Sequence, residues 1–125
     1  MSIVNLGKTK PVITKGITSY PIITPTNAKS ENIMLTVVTI VPGSSMPAHS
    51  HSGSELVYYV TDGEATVILG QKRRVVKSGT AIFVPKGVNH GWSKVKKKLT
   101  YIAAIVPPIE EQYKNLYASW KRKGF

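Results

Sequence analysis

The chain contains three histidines, and all three stand where a metal ion could use them. His49 and His51 are two residues apart. Alternate side chains of an extended segment share a face, so both imidazoles can chelate one ion. Glu55 follows the short Ser52-Gly53-Ser54 link, close enough to add a carboxylate oxygen. His90 comes from a separate turn rich in proline and glycine. Cysteine is absent, which excludes a thiolate site and a disulfide framework and leaves nitrogen and oxygen as the donors.

The elements that carry these residues read as β-strands. A length of 125 residues suits one domain with one core, and an attached DNA-binding domain is not expected. Over residues 11–106, β-branched and aromatic segments are bounded at close intervals by Gly, Pro, Asp and Asn, which predicts an all-β fold. Residues 33–41 form a continuous apolar run ending at Pro42 and Gly43, as in a strand with both faces largely covered. Asp62 and Gly63, between residues 55–61 and 64–69, carry the signal of a tight hairpin. Gly70 and Gln71 turn the chain again. Residues 80–84 make a strand that stops at Pro85, and residues 99–106 a last one that stops at Pro107 and Pro108. Beyond it, Ile109, Tyr113, Leu116, Tyr117 and Trp120 follow helical spacing. Glu110 and Glu111 stand in the first turn, Lys121, Arg122 and Lys123 in the last, and Gly124 just past it. The expected organisation is a single domain, 1–125: amino-terminal strands or arm (1–30), barrel (31–106) and a carboxyl-terminal α-helix (108–123) packed on the barrel.

The net charge is +11, and it is uneven. Residues 1–62 hold four Lys and three acids, residues 63–125 thirteen Lys or Arg and three acids. The excess is clustered at residues 72–74, 96–98 and 121–123, positions that are ordinarily just solvated. No helix-turn-helix, RNP-like aromatic motif or zinc finger accompanies it, so a nucleic-acid partner is not expected. The first ten residues lack an apolar signal region and no stretch is long enough to span a bilayer, so the expectation is a cytoplasmic protein with no membrane partner.

Two ordered motifs resemble those of the cupin superfamily, in its small single-domain form. The first cupin motif is Gly, five residues, His-x-His, three or four residues, Glu, six residues, Gly; this chain has Gly43, His49-Ser50-His51, Glu55 and Gly63. Seven residues, not six, separate Glu55 from Gly63. The second is Gly, five residues, Pro-x-Gly, two residues, His, three residues, Asn; here stand Gly79, Pro85-Lys86-Gly87 and His90, with Lys94 in place of Asn. The fifteen residues between Gly63 and Gly79 match small cupins. The resemblance implies a double-stranded β-helix, or jelly-roll barrel, with His49, His51, Glu55 and His90 converging inside one end as ligands of one divalent transition metal. Such a set suits Fe, Mn, Ni, Co, Cu or Zn and would leave the ion with a single formal positive charge and open positions for water or substrate.

The residue after Glu55 that departs from the spacing must be absorbed by a bulge or a longer turn. Tyr58 and Tyr59 mark that region, and a bulge between them would turn one tyrosine toward the pocket. Met46, Phe83 and Trp92 flank the histidines and serve either the pocket or the core. Gly43, Gly63, Gly79 and Gly87 have backbone roles. The resemblance implies a metal-dependent small-molecule enzyme, dioxygenase-like and so an oxidoreductase, with sugar-phosphate isomerases and decarboxylases as further outcomes. In it Glu55 dissociates to act as the catalytic base, and a basic rim attracts an anionic substrate. A non-catalytic module binding a sugar or organic acid is the alternative. Cupins commonly form homodimers, and the strand-like stretches 11–14 and 17–24 could add to a neighbour's sheet.

Overall fold

Strict alternation of burial organises the barrel. In the computed structural model, which describes residues 1–125, strand β3 (Met34–Ile40) buries Met34, Thr36, Val38 and Ile40 and leaves Leu35, Val37 and Thr39 half-covered. The continuous apolar run was expected to have both faces largely covered, and no residue of the strand is fully exposed: the inner face is buried and the outer one half-covered. The other strands are β1 (Val12–Thr14), β2 (Ile17–Ile23), β4 (Met46–His49), β5 (Glu55–Leu69), β6 (Lys72–Lys77), β7 (Ala81–Val84) and β8 (His90–Val106). A short helix α1 (Pro25–Ala28) follows β2, and α2 (Glu110–Arg122) closes the fold. All pairings are antiparallel, in the order β1-β2-β3-β8-β5-β6, with β4 paired to β8 and β7 to β5. This is a jelly-roll barrel around one cluster of 23 buried hydrophobic residues.

Two long bent strands do the closing. Asp62 and Gly63 do not form a hairpin: β5 runs on through them, and the register against β8 shifts at Val60/Asp62 and Asp62/Glu64 instead. The physical reason is a close approach. Gly63 has φ +95°, and a Cβ there would lie 2.1 Å from the carbonyl oxygen of Lys98, so the Asp-Gly pair marks a bulge that bends a strand where a turn was expected. β8 also begins earlier than its apolar part announces, because residues 90–98 are rich in lysine. Their inward positions, Trp92 and Val95, are nevertheless buried. The first half of β5 (Leu56 to Val60) pairs with the second half of β8, and its second half with the first.

The amino-terminal stretches that could add to a neighbour's sheet form β1 and β2, with β1 paired to β2 at the sheet edge and β2 to β3. Helix α2 buries Tyr113, Tyr117 and Trp120 against the barrel. Its end is tied down where the Phe125 carbonyl accepts from the Lys15 N–H (2.9 Å) and from the Thr14 hydroxyl. No helix is long and apolar enough to cross a membrane.

Candidate metal centre

The three imidazoles reach one point from two backbone segments. His49 ends β4 and is the cross-strand partner of His90, the first residue of β8, so their rings face each other with centroids 4.3 Å apart. A Cβ on the next residue, Gly91, would lie 2.6 Å from the Met46 carbonyl oxygen; only glycine lets β4 and β8 approach closely enough to bring the two histidines together. His51 follows in the loop, its ring centroid 5.1 Å from that of His49 and 5.3 Å from that of His90. Its carbonyl accepts from the Gly87 N–H (2.9 Å), which clips the two loops together. The ligand atoms of the three histidines all lie within 4.8 Å of one another, a geometry that could hold a metal ion.

Second contacts set the tautomers. The Nδ1–H of His49 donates to the Pro47 carbonyl (2.8 Å) and that of His90 to the Val88 carbonyl (2.9 Å). A carbonyl only accepts, so the proton stays on Nδ1 and the Nε2 lone pair is left free, the arrangement usual for ligating imidazoles. Nε2 of His90 is buried without a hydrogen-bond partner, a cost that a bound cation would offset. Burial, and then the neighbouring His90, pull the pKa of His49 down to about 3 and that of His51 to about 4, and burial lowers His90 as well. All three are therefore neutral at pH 7 and ready to coordinate.

Glu55 is not among them. It is exposed on the outer face of β5, across from Val106, whereas Leu56 is buried and lines the same cavity as His49 and His51. The motif explains why. Counting back from Gly63 with the regular spacing of six puts the carboxylate position at residue 56, which this chain fills with leucine. No bulge separates Tyr58 from Tyr59, since alternation is unbroken from Glu55 to Val60. Tyr58 faces the cavity and Tyr59 faces out, 48% exposed. Met46 lines the cavity; Trp92 is fully buried in the core beside Tyr58 and Tyr101; Phe83 points outward, 53% exposed.

Tyr101 and the aromatic stripe of α2 are among the cavity residues that motif spacing does not reveal. Tyr113, Tyr117 and Trp120 pack on the barrel as their period implied, but they do so across the mouth above the histidines, with Trp120 5.0 Å from His49 between ring centroids. Their packing leaves a cavity of about 20 Å³, room for about one water. Burial pushes the phenols of Tyr58, Tyr101, Tyr113 and Tyr117 up, so all are neutral hydroxyl donors. The site is thus three neutral imidazoles beneath an apolar, phenol-bearing roof.

Comparison with known proteins agrees with this architecture. Residues 36–105 match the family model described as Cupin domain. An uncharacterized protein of Methanocaldococcus jannaschii is 31% identical over 107 residues, covering 84% of this chain and 86% of its own. Among solved structures, KdgF from Halomonas sp. superposes with a TM-score of 0.77 at 19% identity, covering 89% of this chain and 99% of that one. The polyketide cyclase RemF from Streptomyces resistomycificus superposes with a TM-score of 0.73 at 25% identity, covering 86% and 79%.

Proposed function

The chain belongs to the cupin family, and from that premise we propose that it is a metal-dependent enzyme acting on a small anionic molecule that chelates through oxygen. His49, His51 and His90 are the metal ligands in this proposal. The observation that carries it is the all-imidazole cluster without a carboxylate. A divalent ion on three neutral nitrogens keeps its full formal charge, so when bound it supplies strong Lewis-acid polarisation of a carbonyl or enolate oxygen. That favours redox-neutral chemistry on an enolisable substrate over the dioxygenase reaction suggested by the family resemblance, and the likeness to a polyketide cyclase points the same way. The residues of the chain have separate tasks. Pro47 and Val88 hold the imidazoles in the ligating tautomer. Tyr58 and Tyr101 offer neutral hydroxyls to a developing oxyanion, and Leu56, Tyr117 and Trp120 exclude water. Glu55, on the outside, takes no part. A substrate larger than water enters as α2 moves aside, and the charge of +11 attracts it.

The test begins with metal analysis of the native protein. The metal-free chain is then loaded in turn with Zn(II), Fe(II), Mn(II), Ni(II), Co(II) and Cu(II) and incubated with β-diketones, catechols and flavonols under air and under argon. Turnover that is equal in both atmospheres is the expected result. Turnover strictly matched by oxygen uptake would make the protein a dioxygenase instead, and failure to bind any of these ions would remove the proposal.

A further inference from the structure

Two hydroxyls stand on the wall of the barrel that carries no histidine. Ser19 on β2 and Thr36 on β3 are both 0% exposed. Strand pairing sets Ser19 opposite Val38, the inward residue two places after Thr36, so the two hydroxyls are diagonal neighbours on one face. In the other direction Thr36 lies opposite Ala103 on β8, and Ala103 opposite Tyr58 on β5. Two strand spacings, about 10 Å in all, thus separate Thr36 from Tyr58, whose ring centroid is 6.1 Å from that of His90. The barrel satisfies neither hydroxyl. Ser19 bonds only to the phenol of Tyr113 on α2. Thr36 faces the same phenol closely enough to lower its pKa, but the geometry closes no bond and Oγ1 is buried without a partner. From Tyr113 the rings of Tyr117 and Trp120 lead to His49, in steps of 4.8, 5.0 and 5.0 Å between centroids.

A threonine that only packed here would serve better as valine, which has the same shape and buries no unpaired hydroxyl. Ser19, for its part, is satisfied only while α2 is docked. That helix must move before anything larger than water reaches the histidines, and its withdrawal takes Tyr113 away and bares both hydroxyls. We propose that Ser19 and Thr36 form a second subsite that takes a phenolic hydroxyl of the ligand, and that Tyr113 fills it in the closed chain. The inference rests on the metal centre proposed above and narrows its ligand to an aromatic compound with chelating oxygens at one end and a ring hydroxyl at the other. Hydrogen bonding favours the ligand over the helix. Tyr113 donates to the Tyr117 hydroxyl (3.2 Å), so it accepts from Ser19 and has no proton left for Thr36. A ligand phenol can accept from Ser19 and donate to Thr36 together. No Lys or Arg lines the cavity, so a carboxylate at this end would be buried unpaired, whereas a neutral phenol would not.

Titration of the Zn(II)-loaded full chain under argon with dibenzoylmethane, a chelating β-diketone, and with its para-hydroxy derivative tests this. The hydroxylated compound should bind about tenfold tighter. Thr36→Val should cut that preference to about twofold or less and leave the Kd of the unsubstituted compound unchanged. In metal-free form the same variant should melt no lower than the wild type, because it loses an unpaired hydroxyl and keeps the shape. Ser19→Ala should cut the preference likewise. Tyr113→Phe retains both wall hydroxyls but loosens the group that fills the subsite, so both compounds should bind more tightly with the preference intact. Equal binding of the two compounds by the wild type, a preference that survives Thr36→Val and Ser19→Ala, a Thr36→Val chain that melts lower, or weaker binding of both compounds by Tyr113→Phe would each overturn the subsite alone. A chain that takes up Zn(II) and binds neither compound would overturn it together with the reading on which it rests.

Discussion

The two faces of the first half of β5 differ by one residue in sequence and by everything in role. Leu56, Tyr58 and Val60 point inward, where the first two line the cavity with His49 and His51; Glu55, Val57 and Tyr59 point outward, away from the histidines. The comparison shows how little a nearby carboxylate counts when parity is against it. Glu55 lies four residues from His51 and still cannot join it, because a strand has no intermediate direction between its two faces.

The strongest way to break the inner face is His90→Ala. His90 is fully buried and is the hinge of the cluster, touching both other rings. Metal affinity measured by competitive chelation should fall beyond the roughly 100-fold that loss of an outer partner of a ligand costs. A sharper contrast comes from one pair of truncations. Leu56→Ala should destabilise by about 2–5 kcal/mol in urea melts, and Val57→Ala at concentrations where the chain is monomeric by less than about 1 kcal/mol. Equal losses would mean that the two faces are not distinct.

Acid should act on the inner face alone. His49 and His51 titrate near 3 and 4 in the folded metal-free chain, below the ordinary 6.5, so the unfolded chain takes up protons first. Stability is therefore complete above about 6.5 and is lost as pH falls toward 4 and then 3. Thermal melts of metal-free protein should be flat between pH 8 and 7 and decline below, and the decline should shrink in His49→Gln/His51→Gln. The smallest effect belongs to Glu55→Gln: metal affinity and melting temperature within measurement error of the wild type. A large loss of metal there would restore the carboxylate to the ligand set.

Much of this was legible in the residues, and the failures share a cause. His49 and His51 were correctly placed on one side of the chain because only local parity was needed, and the closing helix because its period of aromatics is unambiguous. At Glu55 residue type and spacing point to different positions, and the structure turns Glu55 outward. The motif count from Gly63 already pointed to Leu56, but leucine carries no chemistry that draws attention to it. Asp62 and Gly63 read as a hairpin because the dipeptide is the same in a turn and in a bulge; the Lys98 carbonyl that decides between them is distant in sequence. The first half of β8 was hidden by its lysines, whose charge belongs to the outward positions. That α2 lies over the cavity mouth is a tertiary fact, and nothing in a helical period states which part of a barrel it will cover.

Trp120 gives that last fact a practical side. Its indole stands 5.0 Å from the His49 ring at the cavity mouth, and the chain has one other tryptophan, Trp92. With Trp92→Phe, ultraviolet emission would come from a single lamp mounted over the histidines. A paramagnetic ion at the cluster would darken it and Zn(II) would not, while undocking of the helix would shift it to the red as water reached the ring. Occupancy and opening thus have separate optical signals, and stopped-flow fluorescence could time one against the other before any substrate is known.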